Sequence, residues 1–346
     1  MREVRKIKLE ELDDFMASAG NAYPGIDFFQ PANRETYRSR LEAMFEYPVV
    51  HNYALFEDGE MRGIMTYHDF TMNLFGKQTP VGGVAGVGVD LIHKKEKVAA
   101  DMIRAFHQHY LDAGACMAVL YPFSHQFYRR MGYGFATVQY GYRFPPASLP
   151  KGPTKADVRF LDSGDQDLLE SCYQRRFEKT HGLMARYPVY WKQMLDNKSI
   201  QYAGVKRDGI LGGYLAFRFE KGNNDGFLSN NIFVHELVYE TAADLSQLLT
   251  FLHSQADQIE QIVFNTHDES FFFLLGDTRD GAGRMLPHIV SLETSIQGMG
   301  MMARVLDVKR FFDVLDDHDF GGETCILQLN LTDTFLPQNA GRYTLE

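Results

Sequence analysis

Tyr128 stands where a phenol can take part in chemistry. It closes an aromatic pair in Phe127-Tyr128-Arg129-Arg130-Met131, a helix-like run that breaks into the turn Gly132-Tyr133-Gly134. The glycines supply the backbone freedom of a tight turn, and the pattern nominates Tyr128 as the reacting residue. Upstream, the strand-like Val87-Gly88-Val89 leads through Asp90-Leu91-Ile92 into His93-Lys94-Lys95-Glu96-Lys97-Val98-Ala99. Cationic side chains at a helix start, where backbone N–H groups lack partners, make a seat for a pyrophosphate. Glycines at 82, 83, 86 and 88 allow a ligand close to the strand edge. Taken singly, each piece has a plainer reading: an aromatic packed on a sheet, and a solvated Lys/Glu helix end. Their combination favours binding.

The elements that must position these residues read as a strand from Val84 to Asp90, a helix from Lys95 to Leu111, and a strand from Cys116 to Leu120. A short helix over 124–131 follows Tyr121-Pro122 and faces the cleft beside the first strand. Asp58-Gly59 predicts a hairpin between Tyr53-Ala54-Leu55-Phe56 and Ile64-Met65-Thr66-Tyr67, and Asp208-Gly209 predicts another. The syntax then repeats: a strand Ile232–Val238, a helix near Ala242–His253 and a strand Ile259–Phe264. The second copy has Tyr239-Glu240-Thr241-Ala242 where the first has its lysines. A carboxylate there repels phosphate, so binding is expected in the first copy and scaffolding in the second.

Four prolines between Phe144 and Pro153 predict a domain linker. The expected units are 1–146, 156–297 and 298–346. In the last, Met301–Phe312 is apolar-periodic and Thr324–Leu331 alternates like a strand. The length of 346 residues suits two or three domains, and 45% hydrophobic with 23% charged residues suits folded cores. A net charge of −10 argues against nucleic acid and fits a cationic substrate. No apolar leader or membrane-length run is present, so the chain reads as soluble and cytoplasmic, with no membrane partner. Cys116, Cys172 and Cys325 read as buried bystanders. His107 and His109 fall on different helix faces, and no metal is expected. Tyr187-Pro188-Val189-Tyr190-Trp191 reads as a helix start with a packed aromatic cluster. In Tyr23–Phe29, Asp27 and Phe28 offer charge and an aromatic face to an ammonium group.

At these residues the chain resembles the GCN5-related N-acetyltransferases, and within them the enhanced-intracellular-survival type. The resemblance spans the repeat, the linker, Lys179-Thr180-His181-Gly182-Leu183 and the unit beginning near Met301. It implies an α+β (α/β) fold: two tandem mixed-sheet acetyltransferase-like domains, then a short or incomplete sterol-carrier-protein-like α+β segment. Tyr128 takes the place of the family's general acid. Val87 and Val89 match the splayed strand that pairs with coenzyme A, and His93 to Ala99, with Lys94, Lys95, Lys97 and Val98, match the pyrophosphate loop. Lys97 replaces the family's close-approach glycine, and the family's terminal carboxylate is not assigned to Glu346. The implied activity is acetyl-CoA-dependent N-acetylation of a cationic small-molecule amine, aminoglycoside or polyamine-like, by a homo-oligomer of six copies. Alternatives are acetylation of a protein lysine or N-terminus, and a non-catalytic acyl-CoA or small-molecule binding protein.

Overall fold

The structure, a computed structural model, describes every residue except 26–29, 223–228, 282–284, 287–290 and 346. The expected acceptor residues Asp27 and Phe28 lie outside the described residues. Two compact units emerge: Met1–Ala136 together with Met301–Glu346, and Thr137–Gly300.

In chain order the first unit opens with β1 (Arg2–Lys6), α1 (Leu12–Ala22), α2 (Pro31–Phe45), β2 (Val50–Glu57), β3 (Glu60–Leu74) and β4 (Lys77–Val89). It continues through α3 (Val98–Asp112), β5 (Met117–Leu120), α4 (His125–Arg129) and β6 (Gly134–Phe135). The second unit holds β7 (Val138–Phe144), β8 (Val158–Leu161), α5 (Gln166–Lys179), α6 (Pro188–Asp196), β9 (Gln201–Arg207) and β10 (Ile210–Lys221). Then come β11 (Asn230–Tyr239), α7 (Ala242–His253), β12 (Ile259–Thr266), the short strands β13 (Met285–Leu286) and β14 (Ser291–Leu292), and β15 (Ile296–Met299). The chain returns to the first unit with β16 (Met302–Val305), α8 (Val308–Val314), β17 (Leu327–Leu331) and β18 (Gly341–Leu345).

Both expected hairpins form. Asp58 and Gly59 have φ of 53° and 88°, Asp208 and Gly209 of 50° and 80°, the positive pair that a two-residue turn between twisted strands requires. Period-two alternation then sorts side chains to the two faces. Ala54, Phe56 and Ile64 pack with Leu12, Phe15 and Met16 of α1, while Leu55, Met65 and Tyr67 pack with Met102, Ile103 and Phe106 of α3. The second unit repeats this: Leu248, Leu249 and Leu252 of α7 cover one sheet face, and α5 and α6 cover Tyr202, Tyr214 and Ala216 on the other. Trp191 is buried edge-on to Tyr173, with the Arg186 guanidinium over both rings.

Three expectations change. The segment expected as a third unit from 298 joins the first: β16 lies between β5 and β6, with Arg304 opposite Ala118 and Met302 opposite both Leu120 and Phe135. β7 leaves the first unit and pairs with β12 and β15, so the division falls at Ala136/Thr137 rather than near 146. The prolines after Phe144 do end that strand, yet Phe144 and Leu149 sit in the second unit's core, which makes the stretch an internal connection. Cys325 is exposed, unlike Cys116 and Cys172. Among the described residues no helix is long and apolar enough to cross a membrane.

The returning segment brings charge into the core. Arg304 is buried and paired with Asp333 at 2.5 Å. Beside it, fully buried His107 on α3 lies 2.8 Å through Nε2 from the Tyr133 hydroxyl. Burial, with Arg304 adding to it, pushes the His107 imidazole down to about 3 from an ordinary 6.5. The unfolded chain therefore takes up a proton that the folded state refuses as pH falls through that window, so stability drops between about pH 6.5 and 3. We expect urea unfolding free energies to decline below pH 6.5, with His107→Gln lessening the slope by up to about 1.4 kcal/mol per pH unit. An unchanged slope in the variant would remove His107 as the source.

Candidate active site

Where β4 and β5 run side by side, Val81 to Val84 pair in parallel with Met117 to Leu120. Beyond Val84 the two strands part, and β4 continues to Val89 with β3 alone. A bulge marks the place: Ile64 faces Gly88 and Thr66 faces Ala85, so Gly86 and Val87 together oppose Met65. Gly86 adopts φ of 59°, as a glycine at such a bulge does. The β4 edge from 85 to 89 thus turns backbone groups toward a cleft where no strand pairs with them.

The end of α1 closes on this edge. Tyr23 donates its hydroxyl to the Val87 carbonyl at 2.9 Å, and Asn21 donates to Asp90 at 3.2 Å. Gly88 permits the approach, since a Cβ there would sit 2.8 Å from that of Ala22. Burial raises the Tyr23 phenol above its ordinary range, keeping it protonated as a donor.

Past Asp90 the loop is braced from both sides. Arg62 contacts the His93 ring at 2.5 Å, His93 lies 3.1 Å from Glu96, and Arg2 donates to the Glu96 carbonyl at 2.9 Å. Lys95 and Lys97 both take left-handed conformations, at φ of 71° and 67°. Lys97, in the position the resemblance gives to glycine, keeps a glycine's backbone geometry while adding an ammonium group. It is also the N-cap of α3 and its side chain makes no capping bond, so the first amides of the helix stay open. The second copy differs: Thr241 and Asp244 form a capping box in which each side chain accepts from the other's amide, and Glu240 is paired with Arg175 at 2.5 Å.

One cavity of about 730 Å³ joins these parts. Val87, Val89, His93, Lys94, Lys95, Lys97, Val98 and Ala99, all expected from sequence, line it together with Ala22, Tyr23, Gly88, Ala100, Phe123 and Phe127. Its charged lining is cationic, with no carboxylate among the described lining residues, and its remaining walls are largely apolar. That division suits a ligand with a phosphorylated end and a thin apolar arm.

Tyr128 is not among the lining residues, and its ring packs against Phe123 and Phe127 of the wall. It is buried, with its ring 5.5 Å from Phe123, 5.0 Å from Phe127 and 5.8 Å from Tyr133. Ser124 caps α4 through the Phe127 amide, and the Met131 and Tyr133 amides both donate to the Tyr128 carbonyl, at 2.9 and 3.2 Å. Burial, and then the neighbouring Tyr23, raise its phenol well above the usual range, so the proton stays on oxygen at neutral pH. The sequence reading missed Tyr23 as a wall residue, because only the strand bulge brings the end of α1 to Val87. Phe123 escaped notice too, although the exposed aromatic after Pro122 was a visible signal. His107 faces Tyr133, and His109 meets Tyr53 edge-on and Tyr67 at a tilt.

Comparison with known proteins fits this geometry. Residues 3–136 match the acetyltransferase (GNAT) domain, and residues 182–305 match a second model of the same description. An uncharacterized N-acetyltransferase of Streptomyces coelicolor is 24% identical, over 99% of this chain and 82% of its own. The fold is shared with a GCN5-related N-acetyltransferase from Anabaena variabilis, at a TM-score of 0.80 and 16% identity over 99% of this chain and 82% of that one. Eis1 from Mycobacterium abscessus superposes with a TM-score of 0.75 at 19% identity, over 100% and 83% of the two chains. With two such domains in tandem, this chain belongs to the GCN5-related N-acetyltransferases and is an acetyltransferase.

Proposed function

We propose that the first unit transfers the acetyl group of acetyl-CoA to a primary amine of a cationic small molecule, aminoglycoside or polyamine-like, with Tyr128 as the acid. The observation that carries this reading is the single cavity in which the splayed β4 edge, the open α3 amides and three lysines meet an aromatic wall backed by Tyr128. The pyrophosphate would rest on the α3 start between Lys94, Lys95 and Lys97, and the pantetheine arm would follow Val87 and Val89. The neutral amine nitrogen attacks the thioester carbonyl carbon, and backbone N–H groups of the β4 edge stabilise the oxygen as it gains charge. The carbon–sulfur bond then breaks, the thiolate takes the Tyr128 proton, and the amine's surplus proton passes to solvent, which reprotonates the phenol. The chain's net charge of −10 supports a cationic acceptor.

Thiol release from acetyl-CoA should be fastest with aminoglycosides or polyamines in a panel that includes lysine peptides. A preference for peptides would replace the acceptor class, and release with none of them would favour a non-catalytic binder.

Tyr128→Phe should lower kcat by roughly 10- to 1000-fold with little change in acetyl-CoA affinity, since the ring keeps its packing and only the proton is lost. Wild-type turnover in the variant would exclude the role.

Joint replacement of Lys94, Lys95 and Lys97 by Ala should weaken acetyl-CoA binding and flatten its salt dependence. Unchanged calorimetric affinity at low salt would rule the loop out. The same titration on the unaltered protein should saturate at one acetyl-CoA per chain, because the second copy's helix start has a capping box in place of an open N-cap and the Glu240 carboxylate in place of the lysines.

A further inference from the structure

We propose that Arg304 is a positioning residue for Tyr128: carried in on β16 and held by Asp333, it locks the turn that ends α4 and thereby fixes the phenol against the cavity wall. The inference rests on the reading of Tyr128 as the acid.

Helix α4 has five residues, too few to hold its own shape in isolation. Its last turn hangs on the Tyr128 carbonyl and on Gly132, which adopts φ of 82°. The Arg304 guanidinium lies against that glycine, and a Cβ at 132 would run into Nη1. β16 is bonded to β5 on one side and, through Met302 and Ala303, to β6 on the other, so the strand that carries Arg304 opposite Ala118 is fixed on the two strands that bracket α4 in sequence. The side chain is 1% exposed, and its Nη2 bonds Asp333 at 2.5 Å. Asp333 is itself anchored, accepting from the Phe335 and Leu336 amides at 3.0 and 2.8 Å. Phe335 receives the guanidinium on its face at 5.5 Å and the His107 ring edge-on at 5.6 Å. His107 in turn meets the Tyr133 hydroxyl, and the Tyr133 ring stands at 72° to that of Tyr128.

Among the described residues, Arg304 Nε and Nη1 are buried without a hydrogen-bond partner, as is His107 Nδ1. An apolar side chain would fill the space and strand no donors. A planar cation tied to a returning segment does something such a side chain does not: it crowds the glycine through Nη1 and is oriented by an anchored carboxylate. Its demand is geometric, and small displacements of a reacting group are costly to rate.

The test measures thiol release from acetyl-CoA, with spermidine as acceptor and also with water alone, in Arg304→Met, Tyr128→Phe and the double variant. Arg304→Met should lower kcat about 10- to 100-fold, the scale of a misplacement near 1 Å, with the KM for acetyl-CoA within about twofold. In the Tyr128→Phe background the same change should cost less than about twofold, because the group it positions is gone. Arg304→Lys, which keeps charge but not the fork, should fall between. Should Arg304→Met fail to fold, Gly132→Ala takes its place and must give the same kcat-selective, Tyr128-dependent loss. Equal losses in both backgrounds, a loss confined to KM, or no loss would overturn the inference while leaving the acid role of Tyr128 intact. Wild-type turnover by Tyr128→Phe would sink both together, and is told apart by that single variant.

Discussion

The parting of β4 from β5 is the constraint on which the rest depends. A parallel pair that stayed zipped to Val89 would use its amides in the sheet and leave no cleft. Because the pairing stops at Val84 and Leu120, the β4 edge must find other partners, and the bulge at Gly86 and Val87 tilts it out of the ladder. Tyr23 satisfies one carbonyl of that edge. The loop of His93 to Lys97, the start of α3 and the wall of Phe123 and Phe127 then surround a space that the sheet itself opened.

The loop answers a conflict between shape and charge. Left-handed backbone is disfavoured for residues with a Cβ by about 1–2 kcal/mol each, and both Lys95 and Lys97 adopt it. Glycine would remove that strain but bring no ammonium. The bracing by Arg62, His93, Glu96 and Arg2 holds the lysines in a shape they would not choose, and keeps the neighbouring carboxylate turned onto His93. The second copy relaxed the same conflict by capping its helix and pairing Glu240, which suits a scaffold.

Much of this was legible in the sequence because it is local. Asp58-Gly59 and Asp208-Gly209 require positive φ, alternation assigns faces to β2 and β3, and lysines before Val98 mark a helix start open to anions. All eight expected wall residues line one cavity for that reason. What escaped was pairing between segments distant in sequence. Nothing near Met302 specifies β5 and β6 as its neighbours, and nothing near Val138 says that it will leave its own repeat for β12. The prolines after Phe144 truthfully mark a strand end, yet a strand end is not a domain boundary. Tyr23 is found at the site only because the β4 bulge at Gly86 and Val87, distant in sequence, presents the Val87 carbonyl to it.

The insertion of β16 between β5 and β6 also has a consequence in time. As the chain leaves the ribosome, β5 emerges with its outer edge bare, and its partner arrives only after the whole of Thr137–Gly300 has been made. Strand partners that far apart close slowly, since a long loop must be ordered before any contact rewards it. During that interval the apolar Met117-Ala118-Val119-Leu120 edge is a template for stray strands. The second unit, whose own sheet lies within Thr137–Gly300, can complete itself first and shorten the effective loop to the distance between its two ends. A second unit that completes itself early would then act as a folding aid to the unit that holds the cavity.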